Sequence, residues 1–427
     1  MQFSKTEQTI ISVLNDSRYQ FIFFSLLLYL VCVFEYKNFV VVKYEYMGFR
    51  NHFSFEKAIF SFLLYSVSIF VVFLRSTRFI KGISGLIVAI TLMPILIVYQ
   101  FDELGMSYIA ATVLLLMVIN LSFKFKLLFF TRIDNRQLPI LLLFMIILGI
   151  IPFLIAYPIN LDPSLFAFGE EIYSVRESIK GMGNIFTGYM LSPLVQVLLP
   201  MLAVYGLSQK KIYFTIISIV LSVIIFMMIP QKSIFLGIYV VLFFYFFKDP
   251  LRKVSVFLGL VLGLLILGIL LTYISDSLIV ESLLLRRYFI IPAYLNHVYL
   301  EFFDGMQLRY SYSFLSSFFT YPFEVGPTFL IGQEAFGNIE TNANNGFMSD
   351  AFMNFGYWGL FGFTVLVGLI IKFFDELSIH AKFFGLFFLL LNSLRSSALP
   401  TIMLTHGLWL LLVLSFFLLR NSKSRTV

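Results

Sequence analysis

Apolar runs about as long as a bilayer is thick recur along the whole chain, and they leave few folds open to it. A membrane helix needs roughly 20 predominantly apolar residues, within about 17–25, and accepts fewer where flanking side chains snorkel. Twelve runs meet this expectation. In the first half they are Tyr19 to Phe34, Ala58 to Leu74, Gly82 to Tyr99, Met106 to Phe123, Leu138 to Tyr157 and Phe186 to Leu207. In the second half they are Ile212 to Ile229, Ser233 to Phe247, Val254 to Ser275, Tyr357 to Ile371, Phe383 to Leu399 and Thr401 to Leu419. The expected fold class is an all-α integral membrane protein of about 12 transmembrane helices.

A soluble alternative fails on surface. The 427 residues are 60% hydrophobic and 12% charged, against about 25% charged in a typical soluble domain. A soluble fold of this composition would expose large apolar patches. The 54 Phe are cheap against lipid, and many of the 23 Tyr stand near span ends, where an amphipathic ring suits the interface. Cys32 is the single cysteine, so no intramolecular disulfide forms. The start MQFSKTEQTIISVLNDSRYQ is polar, and no small-residue cleavage site follows the first apolar run, so that run is expected to stay as an anchor. Without an internal repeat, a low-complexity stretch or a Gly/Ser linker, residues 1–427 read as one polytopic domain.

Charge sets the expected orientation. Nineteen of the 30 Lys and Arg fall in the set of inter-span segments that includes both termini, and 11 in the alternate set. The positive-inside rule then places both termini in the cytoplasm, and it accounts for the net charge of +7 without a nucleic-acid partner. The loop from Tyr36 to Lys57, with its four cations, breaks the trend. Two long loops fall on the outer face: Pro158 to Ile185, 28 residues, and Asp276 to Gly356, 81 residues. Long loops in a compact protein are usually functional or disordered. These two are aromatic and carry pieces with helical spacing, which favours function.

The spans read as nearly free of charge, whereas ion- and proton-moving transporters usually carry intramembrane ionisable groups. Asn120 and Gln196 are expected to bond one helix to another. The polar chemistry is therefore expected in the outer loops. Glu170 to Gly181 has helical spacing and presents Arg176 and Lys180 on one face, either as a phosphate-binding pair or as part of an interfacial helix. In LLLRRYFIIPAYLNHVYLEFFDG, Pro292 is expected to kink the helix or start a second one. Tyr294, His297 and Glu301 share a face there, and Arg287, Tyr294 and Glu301 recur every seven residues. Lys232, in the turn IPQKS, either snorkels to headgroups or points into the cleft of the loop arginines. In ETNANNGFMSDAFMNFGYWG, Ser349 and Asp350 are placed to cap the helix of the tenth span, and Asn344 and Asn345 either make a turn or bond a sugar.

Cations on the outer face with few acidic partners suit a phosphate-bearing ligand, because the planar guanidinium fork makes bidentate phosphate contacts. No acidic cluster or His/Cys spacing calls for a metal, so no metal and no cofactor is expected. Arginines supplying the electrostatics is the more economical mechanism.

The tracts YSVR, QKS, RRYFIIPAYLNHVYLEFF and NANNGFMSDAFMNFGYWG, with TIMLTHGLWLLL in the last span, resemble bacterial O-antigen polymerases of the Wzy type, the oligosaccharide repeat-unit polymerases. The resemblance implies a metal-independent glycosyltransferase of GT-C-like architecture at the periplasmic face of the inner membrane. Its substrates would be undecaprenyl-pyrophosphate-linked glycans, and a chain-length-regulating membrane protein would be a partner beside the membrane lipid. Arg176 then corresponds to the arginine of the first long loop, Arg287 or Arg286 to that of the second, and Lys232 to the basic residue of the turn. Glu301, or else Asp350, would receive the acceptor's proton. An O-antigen ligase shares the two-loop plan, and a lipid-linked oligosaccharide flippase can share the span count.

Overall fold

The computed structural model describes residues 16–74, 77–102, 105–122, 137–167, 169 and 171–420. Among these residues every regular element is a helix. In chain order they are α1 (Ser17–Met47), α2 (Phe55–Val71), α3 (Arg78–Phe101), α4 (Ser107–Asn120), α5 (Leu138–Ala156), α6 (Glu171–Ser178), α7 (Ile185–Ser208) and α8 (Ile212–Met228). There follow α9 (Lys232–Tyr245), α10 (Pro250–Ser275), α11 (281–302), α12 (Pro327–Phe336), α13 (Phe347–Glu376), α14 (Phe384–Ser396), α15 (Leu399–Leu404) and α16 (Leu408–Leu419). Short 3-10 turns link some of them.

Each of the twelve expected runs overlaps a helix, the last of them two, but among the described residues six helices are long and apolar enough to cross a membrane: α1, α3, α5, α7, α10 and α13. These belong to a multi-pass membrane protein. Side-chain caps set several starts. Ser54 Oγ accepts from Lys57 N, Asn184 and Thr187 form a reciprocal capping box, and Asp249 accepts from Arg252 N ahead of Pro250.

Three boundaries differ from the sequence reading. First, α1 does not end at Phe34. A π-helical turn at Tyr36–Val40 carries it on to Met47, so Glu35, Lys37 and Lys43 lie on a helix rather than in a loop. Glu35 has no exposed surface, which corrects the expectation of nearly charge-free spans. Second, the last run is divided, with α15 and α16 separated where Gly407 adopts φ 81°. Third, the long loops are largely helical. The first contains α6, over the stretch that helical spacing marks out, with Glu170 outside the described residues. The second contains α11, α12 and the start of α13. The cations Arg75, Lys124, Lys126, Arg132 and Arg136, and the outermost residues of both termini, also lie outside the described residues.

By internal contacts the chain forms two compact units, each discontinuous in sequence. The first comprises residues 1–123, 249–372 and 394–399. Its central helix is α3, buried along nearly its whole length. Helix α10 packs on α1 and α3, and Asn120 bonds Ser84 at 3.3 Å between α4 and α3. The second unit comprises residues 124–248, 373–393 and 400–427. It is built around α7, where Thr215 donates to the Ala203 carbonyl at 2.9 Å and Ser393 to Gln196 at 3.0 Å. Asn120 and Gln196 thus act as interhelical partners, as their positions imply.

Helix α13 is two helices joined at Gly356, whose φ 60° and ψ −149° belong to backbone that essentially only glycine adopts. The break frees carbonyls, and the chain at 308–310 takes them: Leu308 N–H reaches Met353 O at 3.0 Å and Arg309 N–H reaches Asn354 O at 3.2 Å. Gly356→Ala is expected to cost about 1–3 kcal/mol, read as a lower thermal midpoint of the purified protein. Gly362→Ala, where an added Cβ meets nothing within 4 Å on ordinary helix, should leave the midpoint unchanged or raise it.

Candidate active site

In the first unit, α11 carries the polar face. It is π-helical from Glu281 to Ile290 and α-helical from Ile291. Pro292 sits in the first turn of the α-helical half, where its missing N–H costs no hydrogen bond. The wider π turn sets the register of the α-helical half, and such turns recur at functional sites.

The face shared by Tyr294, His297 and Glu301 is formed. His297 Nε2 lies 3.3 Å from Glu301 Oε2, with the imidazole nearly buried and the carboxylate exposed. Burial pulls the His297 pKa below the ordinary imidazole value, against the opposing pull of Asp102 and Glu301. The ring is therefore neutral near pH 7. With Nε2–H directed to Glu301, Nδ1 keeps its lone pair, which is the form a general base requires. Tyr294 is buried against Gly48, and its phenol is pushed up to about 12 by burial first and by Asp102 second. It stays a neutral donor.

His297 also lines a small recess with Tyr99, Tyr108, Ala293 and Leu300. Beside it stands a group the sequence reading did not single out. Asp102, almost fully buried at the end of α3, lies 3.8 Å from Arg50 Nη1, and its carbonyl accepts from Lys57 Nζ at 2.7 Å. A signal existed. QFDELG is an acidic loop, and Arg50 and Lys57 belong to the segment that breaks the charge trend. Only the fold brings them together.

The two arginines of α11 separate cleanly. Arg286 is buried, donating to Ser282 Oγ at 2.7 Å and facing the Tyr44 ring at 4.1 Å. Arg287 is exposed, and no carboxylate among the described residues pairs with it.

Asp350 does not cap a helix, and neither does Ser349. Both lie in the first turn of α13, which begins at Phe347. Ser349 bonds Asn296 of α11. The Asp350 carboxylate is fully buried and accepts from Tyr310 at 2.6 Å, Tyr312 at 3.2 Å and the Asn354 amide at 3.2 Å. Both phenols are pushed up by burial first and by Asp350 next, so they remain donors. Asn345 is buried with its amide nitrogen unpartnered, whereas Asn344 is exposed, its N–H turned to Asn342 O at 3.1 Å.

In the second unit, Arg176 Nε donates to the Pro230 carbonyl at 2.8 Å, which ties α6 to the turn that leads into α9. Lys232 is the first residue of α9, two positions beyond that carbonyl, so the unit gathers Arg176 and Lys232 at one turn. The Arg176 guanidinium also lies over the Tyr173 ring. Lys180 instead forms an exposed pair with Glu177 at 3.1 Å, the kind that contributes little. Among the described residues no group of three or more His, Cys, Asp or Glu is arranged to hold a metal.

No protein-family model, curated protein or solved structure matches the chain.

Proposed function

We propose that the chain is a lipid-linked oligosaccharide polymerase of the bacterial inner membrane, with about 12 spans, a GT-C-like architecture and its chemistry at the periplasmic face. The observation that carries the reading is the interlocking of the two longest tracts of the resemblance, residues 286–303 and 342–359. Tyr299 of RRYFIIPAYLNHVYLEFF donates to the Ala343 carbonyl of NANNGFMSDAFMNFGYWG at 2.9 Å, and Ser349 bonds Asn296. Both tracts therefore meet within the first unit, which supports reading them as parts of one site.

In the proposed reaction the acceptor sugar hydroxyl attacks the anomeric carbon of the donor glycan. The bond from that carbon to the carrier pyrophosphate breaks, and the hydroxyl proton passes to Glu301 directly or through His297. Charge gathers on the departing pyrophosphate, and a cation of the outer loops, Arg287 in the first unit or Arg176 with Lys232 in the second, stabilises it. Substrates are undecaprenyl-pyrophosphate-linked glycans, and a chain-length-regulating membrane protein is the proposed partner.

Deleting the gene and separating surface polysaccharide on a gel tests this. Loss of a polymerase leaves lipid A–core bearing one repeat unit. Loss of a ligase or of a flippase leaves bare core, and that pattern would overturn the proposal.

A further inference from the structure

Two carboxylates apart from that site lie buried without a counter-charge. Glu35 ends the first α-helical stretch of α1, and Glu281 opens the π-helical half of α11. Both have no exposed surface. These helices pack together, and the two carboxyl groups are close enough to interact electrostatically. Neither oxygen of Glu35 has a hydrogen-bond partner, and Oε2 of Glu281 has none.

The cations nearby are otherwise engaged. Arg286, five residues beyond Glu281, is held by Ser282, the Met47 sulfur and the Tyr44 ring. Asp102, at the end of α3, faces Arg50. Lys37 is exposed over the Phe53 ring. Cys32, three residues before Glu35, is a buried neutral thiol. Among the described residues no Lys or Arg forms an ion pair with either glutamate. Two ionised carboxylates in that setting would lose their hydration and repel one another, which disfavours the doubly charged state.

Proton counting at Thr272 gives an independent indication. Its hydroxyl lies 2.6 Å from Glu281 Oε1 and 2.9 Å from the Ser277 carbonyl. A hydroxyl has one proton and cannot donate to both oxygens. If Thr272 donates to Ser277, the short contact is made by a proton on Glu281 Oε1, donated to the Thr272 oxygen.

We propose that Glu35 and Glu281 form a proton-binding site between α1 and α11, holding one proton at neutral pH. Release of that proton puts an extra negative charge into a closed junction of two helices, one of which carries the candidate active site. The junction is thereby sensitive to protonation. This site is independent of the polymerase reading.

Infrared difference spectroscopy on the full-length protein in phosphatidylethanolamine–phosphatidylglycerol nanodiscs tests it. The wild type at neutral pH should show the carbonyl band of a protonated buried carboxyl that titrates away under alkaline conditions. Glu281→Gln and Glu35→Gln should each remove or shift that band. Thr272→Val, which removes the hydroxyl and keeps the shape, should move the band to higher frequency. Replacing sodium by choline should leave it unchanged. The proposal is overturned by a wild-type spectrum without such a band, or by a band untouched in both Gln variants. A band that emerges only when sodium is withdrawn also overturns it, since a metal cation would then occupy the pair. The wild-type titration and Thr272→Val do not depend on the Gln variants folding.

Discussion

Asp350→Ala is expected to lower the stability of the purified protein by about 3–5 kcal/mol, among the largest effects of any single substitution in this chain. The change leaves the Tyr310 and Tyr312 hydroxyls without their shared acceptor beside a site with no exposed surface, while the Asn354 amide keeps the backbone carbonyl of residue 350 at 2.9 Å. Each orphaned buried donor costs about 1–3 kcal/mol, reduced where the cavity relaxes. Asp350→Asn keeps one acceptor oxygen and should lose roughly half as much. Thermal unfolding followed by size-exclusion fluorescence measures both. The same pair separates two roles for the carboxylate. If Asp350 holds the 308–312 segment against α13, activity and stability should fall together. If it takes the acceptor's proton, Asp350→Asn should abolish polymerisation while the midpoint falls only by that smaller amount.

Arg287→Ala and Arg176→Ala should each reduce polymer formation by about 10²–10³-fold, the usual loss when one donor to developing negative charge is removed. Protein level and thermal midpoint should stay near wild type, because Arg287 is exposed and Arg176 donates to a backbone carbonyl rather than to a buried charge. Lysine at either position keeps the charge and loses the planar fork, so it should restore only part of the activity. Arg286→Ala should behave oppositely. Its guanidinium is buried against Tyr44 and Ser282, and truncating it should lower the midpoint. Full-length chains from both Arg287→Ala and Arg176→Ala, at normal expression, would remove the phosphate-clamp idea.

Much of this protein was legible from residue order because its signals are local. Helix period and apolar length mark each run whatever its neighbours are. The same is true of the shared face of Tyr294, His297 and Glu301, since residues three and four apart on a helix are always adjacent. Pro292 could be placed because proline's constraint is its own. The sequence could not separate Arg286 from Arg287, which are adjacent residues on one helical turn. Burial of one and exposure of the other depends on where Tyr44, 242 positions earlier, comes to rest.

Other features had no local signal at all. Ser349 and Asp350 read as a cap because polar residues ahead of an apolar run usually bond the nearest free N–H groups. In the fold they are drawn instead to Asn296 and to two tyrosines some forty residues upstream. The extension of α1 through Glu35 was hidden because a charged residue after an apolar run reads as its end. Only packing against α11 makes that carboxylate a buried one. The sequence alone determined an all-helical chain rich in membrane-length runs, because apolar length and periodicity depend on neighbours along the chain. The tertiary structure decided which polar groups are buried, paired or left bare, because those states are set by contacts between residues far apart in sequence.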